Sequence, residues 1–180
     1  MAEVDLYPLV RNYLNLEFAP SLKPQRGVSL PLVAITSNAA GADAGKWSRP
    51  DLALVNLWRH KYQPSFTLDL YGFEVKPTET CDLSSVHETL AHTRLVHFSY
   101  LVWQLGEDET ESRRLQLIRD NCEAYEIGLI TFAKVDGLHR FKVHLNCNRR
   151  NPSPSVIDEF IETRFGSREK DRLLAWLERQ

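Results

Sequence analysis

The largely apolar stretch from Leu68 to Pro77 carries two charged residues, Glu74 and Lys76, near its C-terminal end. The stretch is typical of a buried strand, and alternate residues of a strand share a face, so both charged side chains point the same way. Burying a carboxylate and an ammonium group is unfavourable unless partners or a metal ion compensate. The pair therefore indicates a functional site, with a purely structural ion pair as the simpler alternative.

A third charged residue, Asp51, follows Arg49 and Pro50 at the start of the preceding apolar segment. Hydrolysis of a phosphodiester needs a divalent cation, an activated water and stabilisation of the developing negative charge. Mg²⁺ prefers oxygen ligands, usually one or two carboxylates with waters and substrate phosphate. Asp51 and Glu74 could bind such an ion together with the backbone carbonyl of Val75. Lys76 could then orient the attacking water, lower its pKa or stabilise the developing charge.

An acid at one strand, followed about twenty residues later by Glu-x-Lys on the next, resembles the PD-(D/E)XK nuclease superfamily, which has the restriction-endonuclease-like fold. The resemblance covers about residues 3–133. It implies a Mg²⁺- or Mn²⁺-dependent DNA endonuclease in which Asp51 and Glu74 bind the metal. It further implies that the first helix carries another acid of the site, for which Glu3 is the candidate. His92 occupies the place where a helical glutamine is common in the family.

Hydrophobic periodicity and turn residues predict an α/β fold with a central mixed β-sheet flanked by helices. Helices are predicted at about 3–18, 83–94, 111–125, 155–165 and 168–179. Strands are predicted at about 28–36, 51–58, 66–76, 98–103, 127–132 and 141–145. Pro20 and Pro24 are expected to prevent the first helix from continuing. Pro31 predicts an edge position for its strand, and Asp82 or Ser84 is expected to cap the second helix.

The length and composition favour one compact unit. The 180 residues are 43% apolar, enough to bury a full core. Residues 1–150 are predicted to form the nuclease-like domain, a restriction-endonuclease-like core. Residues 151–180 are predicted to form a helical extension packed on the same domain.

The bulk charge gives no sign of a nucleic-acid partner, because the formal net charge is −2 and such partners normally leave a basic footprint. Any binding surface must therefore be local. Three cysteines without a CxxC pair fit a reducing compartment. No apolar run reaches the eighteen residues of a membrane span, and no signal-like segment opens the chain. These features predict a cytoplasmic protein with no membrane partner.

Several alternatives remain open on the sequence alone. A basic cluster near the C-terminus could contact phosphate, although a solvated face is the favoured interpretation; its members are Arg149, Arg150, Arg164, Arg168 and Lys170. A homodimer is plausible, since cutting both strands of a duplex commonly needs two sites. The main rival function is a non-catalytic nucleic-acid-binding or assembly module that retains the nuclease fold. A metal-dependent enzyme acting on a small phosphate ester is a third possibility.

Overall fold

The computed structural model describes residues 2–22, 27–37, 49–62, 65–106 and 112–178. The helices are α1 (Glu3–Tyr13), α2 (Ala19–Ser21), α3 (Leu83–His92), α4 (Arg113–Ala124), α5 (Pro154–Arg164) and α6 (Ser167–Glu178), and a π-helical turn (Leu14–Phe18) joins α1 to α2. The strands are β1 (Gly27–Ile35), β2 (Leu52–His60), β3 (Phe66–Lys76), β4 (Phe98–Gln104), β5 (Gly128–Val135) and β6 (Leu138–Leu145). None of the helices in these ranges has the length and apolar character needed to cross a membrane.

The strands form one mixed sheet in the order β1-β2-β3-β4-β5-β6. The first three strands are antiparallel, β3, β4 and β5 run parallel, and β6 returns antiparallel to β5. The prediction of a central mixed sheet flanked by helices is thereby confirmed. The edge position predicted from Pro31 is also confirmed, because β1 pairs only with β2 among the described strands.

The prediction that two prolines prevent the first helix from continuing is wrong for Pro20, because the helical path continues to Ser21; Pro24 lies outside the described residues. Pro20 stands in the first turn of α2, where a missing backbone N–H removes no required hydrogen bond. The π-helical turn before it changes the hydrogen-bond spacing and makes this restart possible. Asp82, in contrast, caps α3 as predicted, since its carboxylate accepts from the backbone N–H groups of Ser84 and Ser85.

Both faces of the sheet are covered, which explains why its central strands are almost continuously apolar. On one face, α1 and the π-helical turn pack over the middle of the sheet, with Phe18 in contact with Phe73 and Tyr100. On the other face, α5 and α6 cover β1 to β3, while α3 and α4 cover β4 and β5. The helices near residues 151–180 thus share a core with the sheet.

Candidate active site

The antiparallel pairing of β2 with β3 brings Asp51 to the Glu-x-Lys segment. Leu52 lies opposite Phe73, so the start of β2 lies beside the end of β3. The Asp51 backbone N–H donates to the Phe73 carbonyl at 2.9 Å. Its carboxylate Oδ2 accepts from the Val75 N–H at 2.8 Å. The side chain of Asp51 is therefore held against the backbone between Glu74 and Lys76.

Helix α1 adds two side chains, Glu3 and Tyr7, which lie one turn apart on the same helix face. The Tyr7 hydroxyl lies 2.6 Å from Asp51 Oδ1 and 2.9 Å from Glu3 Oε1. A phenol carries a single hydrogen, so it can donate fully to only one of these two oxygens. The second close contact is favourable only if another proton or a cation is shared between the acids.

Lys76 is the centre of the cluster, because its ammonium contacts carboxylates from three elements. Its Nζ atom lies 2.6 Å from Glu74 Oε1, 2.9 Å from Glu88 Oε2 and 3.2 Å from Glu3 Oε2. Burial disfavours the charged lysine, but the Glu74 carboxylate and the other two acids outweigh it and raise the pKa of Lys76 far above its ordinary value. Lys76 is therefore a protonated hydrogen-bond donor in this arrangement.

His92 lies beside Glu74 without a hydrogen bond to it, since Nε2 is 3.6 Å from Glu74 Oε2. Its side chain is almost fully buried, and burial lowers the pKa of His92 to about 4. The imidazole is therefore neutral near pH 7. Its Nδ1 atom has no hydrogen-bond partner within the described part of the chain. His92 thus contributes shape and a neutral dipole to the site.

The two predicted metal ligands are both held in surroundings that disfavour their negative charge. Burial raises the pKa of Glu74 to about 9, with a further contribution from the charge of Asp51. Burial also raises the pKa of Asp51 to about 6, against the opposing hydrogen bonds from Tyr7 and Val75. With Glu3 and Glu88, four carboxyl groups surround one lysine, so the cluster lacks positive charge.

The donor set fits a hard divalent cation. Asp51 and Glu74 offer carboxylate oxygens, and each oxygen retains a lone pair beyond the hydrogen bond that it already accepts. No group of three or more His, Cys, Asp or Glu side chains converges on a metal position in the described ranges. Two carboxylates plus waters, backbone carbonyls and substrate oxygens are a usual ligand set for Mg²⁺, whereas a dedicated protein cage is not.

An open pocket of about 300 Å³ lies next to Lys76. It is lined by residues from the first turns of α1 and α3 and from the segment after β3: Ala2, Glu3, Lys76, Pro77, Thr80, Ser84, Ser85 and Glu88. The pocket gives a small polar or phosphate-bearing group access to the lysine and to two of its carboxylates.

The structure brings together all five side chains selected from the sequence. The Val75 backbone N–H contacts Asp51, whereas a metal-binding role for the Val75 carbonyl stays a prediction. Two site residues escaped the sequence analysis. Tyr7 lies four residues after Glu3, and Glu88 lies four residues before His92. Helical i, i+4 spacing from the two predicted residues was the signal that could have identified them.

The C-terminal basic cluster is largely paired with acids. Arg149 contacts Asp69 at 3.1 Å, and Arg150 contacts Glu126 at 3.0 Å. Lys170 contacts Glu162 at 2.9 Å. These pairs support the interpretation of that cluster as part of the structural and solvated surface.

Replacing Tyr7 by phenylalanine is expected to lower the free energy of unfolding by about 1–2 kcal/mol, because the Asp51 carboxylate loses a buried donor. Urea unfolding followed by circular dichroism measures the change. Tyr62→Phe is the matched control, since the Tyr62 side chain is 79% exposed and its hydroxyl can bond to water instead. Equal stability of Y7F and the native chain would show that the short contact to Asp51 contributes nothing.

No protein-family model matches the chain, and no curated protein matches it. One solved structure that it resembles is described as the SPO1766 protein of unknown function from Silicibacter pomeroyi. The likeness covers 81% of this chain and 79% of that chain, at 12% sequence identity and a TM-score of 0.40. Similarity at this level identifies neither a family nor a function.

Proposed function

We propose that this protein is a divalent-metal-dependent DNA endonuclease of the restriction-endonuclease-like kind. One observation carries the proposal: residues far apart in the sequence supply a buried acid pair with a lysine at a single position. Asp51 precedes β2 and is held by Tyr7 of α1, while Glu74 and Lys76 lie at the end of β3. Burying excess negative charge weakens a fold unless a cation binds there, so selection for stability alone does not explain the cluster.

The chain topology supports the same proposal. Within the described part of residues 3–104, helix α1 is followed by the antiparallel strands β1 to β3, then by helix α3 and by β4, which runs parallel to β3. This is the element order expected for the superfamily core, with Asp51 just before β2 and with Glu74 and Lys76 on β3, in agreement with what the resemblance implies. Fold alone does not determine function, so the side-chain cluster remains the principal argument.

Each residue of the cluster has a distinct role in the proposed reaction. Asp51 and Glu74 would hold Mg²⁺ or Mn²⁺, which supplies Lewis-acid stabilisation and a more acidic bound water. Tyr7 and the Val75 N–H fix the orientation of the Asp51 carboxylate. Lys76, protonated in this arrangement, would orient the attacking water and stabilise the charge that develops on the phosphate. We therefore do not assign Lys76 the role of a general base.

Metal binding and DNA cleavage test the proposal together. Calorimetry with Mn²⁺ is expected to show binding by the native chain and none by Asp51→Ala. Plasmid, branched and single-stranded DNA are then incubated with Mg²⁺ or Mn²⁺ beside both proteins. Glu79→Ala is the control, because Glu79 is an exposed acid just after β3. Absence of metal binding, even with DNA present, would contradict the endonuclease and favour the non-catalytic binding module.

Duplex DNA as the substrate, a homodimer with two active sites and a cytoplasmic location all remain proposals that accompany the endonuclease. The homodimer follows from the need to cut two strands. Sedimentation with and without a short duplex would test it.

A further inference from the structure

A second pocket, with a volume of about 270 Å³, lies beside α5 and the start of β3. We call it the α5 pocket. Its walls are mostly apolar and are formed by Leu68, Pro152, Pro154, Ile157 and Ile161, and its two polar lining residues are His97 and Asp158. Leu68 lies near the start of β3 and Lys76 at its end, about 26 Å apart along an extended strand. The α5 pocket is therefore separate from the pocket beside Lys76.

The walls of the α5 pocket are held in place by the fold. The Arg150 backbone N–H donates to the His97 carbonyl at 2.7 Å, which anchors the chain just before Pro152. Helix α5 begins at Pro154, and a proline ring fixes its own backbone dihedral. Ile157 and Ile161 are one helical turn apart and both buried. A ligand would therefore meet a preformed surface, which lowers the entropic cost of binding.

His97 supplies the pocket with a hydrogen-bond donor of fixed orientation. Its Nδ1 atom accepts from the Leu70 N–H at 3.0 Å. Burial lowers the pKa of His97, and the charge of Arg149 lowers it further, so the imidazole is neutral near pH 7. A neutral imidazole that accepts at Nδ1 carries its hydrogen on Nε2.

This Nε2–H group has no acceptor within the part of the chain that the structure describes. The side chain of His97 is only 8% exposed, and its ring lines the α5 pocket. A buried donor without an acceptor is unfavourable. The pocket therefore favours a ligand that brings a hydrogen-bond acceptor to His97.

Asp158 gives the pocket a negative charge. Its side chain is exposed and forms no ion pair with a described residue. The nearby cation Arg149 is already paired with Asp69 at 3.1 Å. Since His97 is neutral and the walls are apolar, Asp158 carries the formal charge of the lining, and it favours a cationic group at the exposed side of the pocket.

We infer that the α5 pocket binds a small amphipathic amine, an apolar ring with a hydrogen-bond acceptor at one end and an ammonium group at the other. The acceptor would face the His97 Nε2–H, the ring would lie against Ile157 and Ile161, and the ammonium would pair with Asp158. The volume equals that of about nine liquid water molecules, which suits one ring with a short chain. This inference does not depend on the proposed endonuclease.

A purely structural role for His97 is the competing explanation. The imidazole gives the Leu70 N–H an acceptor at the point where β3 lies beside the chain entering β4. Water in the pocket would then satisfy Nε2–H. Under this explanation, amphipathic amines would not bind, or would bind without regard to their polar groups.

The test is a titration of the full chain with three probes, followed by proton–nitrogen correlation NMR of the backbone amides and of the His97 Nε2–H. Tyramine has both polar groups, phenethylamine lacks the hydroxyl acceptor, and para-hydroxyphenylacetate carries a carboxylate in place of the ammonium. Tyramine is expected to bind with a dissociation constant of about 0.1–1 mM, a range typical of about ten heavy atoms. Phenethylamine is expected to bind about three- to tenfold more weakly, and the carboxylate probe should show no saturable binding.

Asp158→Asn is expected to weaken tyramine binding about fivefold, because an exposed ion pair is lost. Glu159→Gln is the matched control, since Glu159 is an exposed acid on the same helix that does not line the pocket. Saturable tyramine binding that shifts the His97 Nε2–H resonance and weakens in D158N alone would support the inference. It is overturned if tyramine does not saturate, if the three probes bind equally, or if D158N and E159Q bind tyramine alike. Binding that leaves the His97 resonance unchanged would place the amine elsewhere and would also overturn it.

Discussion

Replacing Lys76 by methionine is expected to reduce metal-dependent DNA cleavage about 10³-fold while leaving divalent-metal binding equal or tighter. The rate falls because the water and the developing phosphate charge lose the Lys76 ammonium group, and such contributions are typically 10²–10⁴-fold. Metal affinity does not fall, because the lysine is a positive charge within 3.2 Å of three carboxylates. Removing it leaves those carboxylates free to attract a metal ion.

The opposite behaviour of Asp51→Ala separates the two roles, since that variant is expected to lose metal binding and cleavage together. Single-turnover cleavage of a labelled duplex and calorimetry with Mn²⁺ provide the two measurements. Lys61→Met is the control, because Lys61 is exposed. Lys76→Arg is a second variant, which keeps the positive charge at this position. Circular dichroism checks that each variant is folded. Undiminished cleavage by a folded K76M protein would remove Lys76 from the reaction.

The central part of this site was accessible from local sequence rules. Period-two alternation placed Glu74 and Lys76 on one face of β3, and the position of Asp51 just before an apolar run placed it at the start of β2. Antiparallel pairing of consecutive strands then brings these ends together, as the register shows. The acid at the start of α1, Glu3, also lies in the cluster.

The remainder depends on packing that no local rule contains. Tyr7 reaches Asp51 because α1 lies across the sheet on Phe73 and Val75, and Glu88 reaches Lys76 because α3 lies on the other side. The helical restart at Pro20 similarly depends on a π-helical turn that a rule for regular α-helices does not anticipate. Sequence rules thus specified the strands that carry the acids, while tertiary packing specified the groups that surround them.

Glu74→Gln is expected to stabilise the metal-free protein between pH 7 and 9. Burial raises the pKa of Glu74 to about 9 from an ordinary value of 4.5, so the folded state retains a proton that the unfolded chain has lost. The unfolded state is therefore favoured progressively as pH rises, by at most about 1.4 kcal/mol per unit. The glutamine side chain does not ionise in this pH range. Lys76 keeps its contacts with Glu3 and Glu88 in this variant. We expect the variant to gain about 1–3 kcal/mol over the native chain at pH 8.5.

Urea unfolding at pH 7.0, 8.0 and 9.0 in the presence of a chelator measures this difference. The three cysteines, whose pKa values are also raised by the surrounding protein, affect both chains equally, so their contributions cancel. His92 is neutral in folded and unfolded chains throughout most of this range. Glu79→Gln makes the same charge change at an exposed position and should leave the slope unaltered.

Adding Mn²⁺ is expected to stabilise the native chain more than E74Q, because the ion binds the folded acid pair. A native chain with no greater loss of stability than E74Q across this range would show that Glu74 is ionised and adequately compensated by Lys76 alone. The poorly compensated burial of Glu74, which motivates a metal ion at this position, would then be absent.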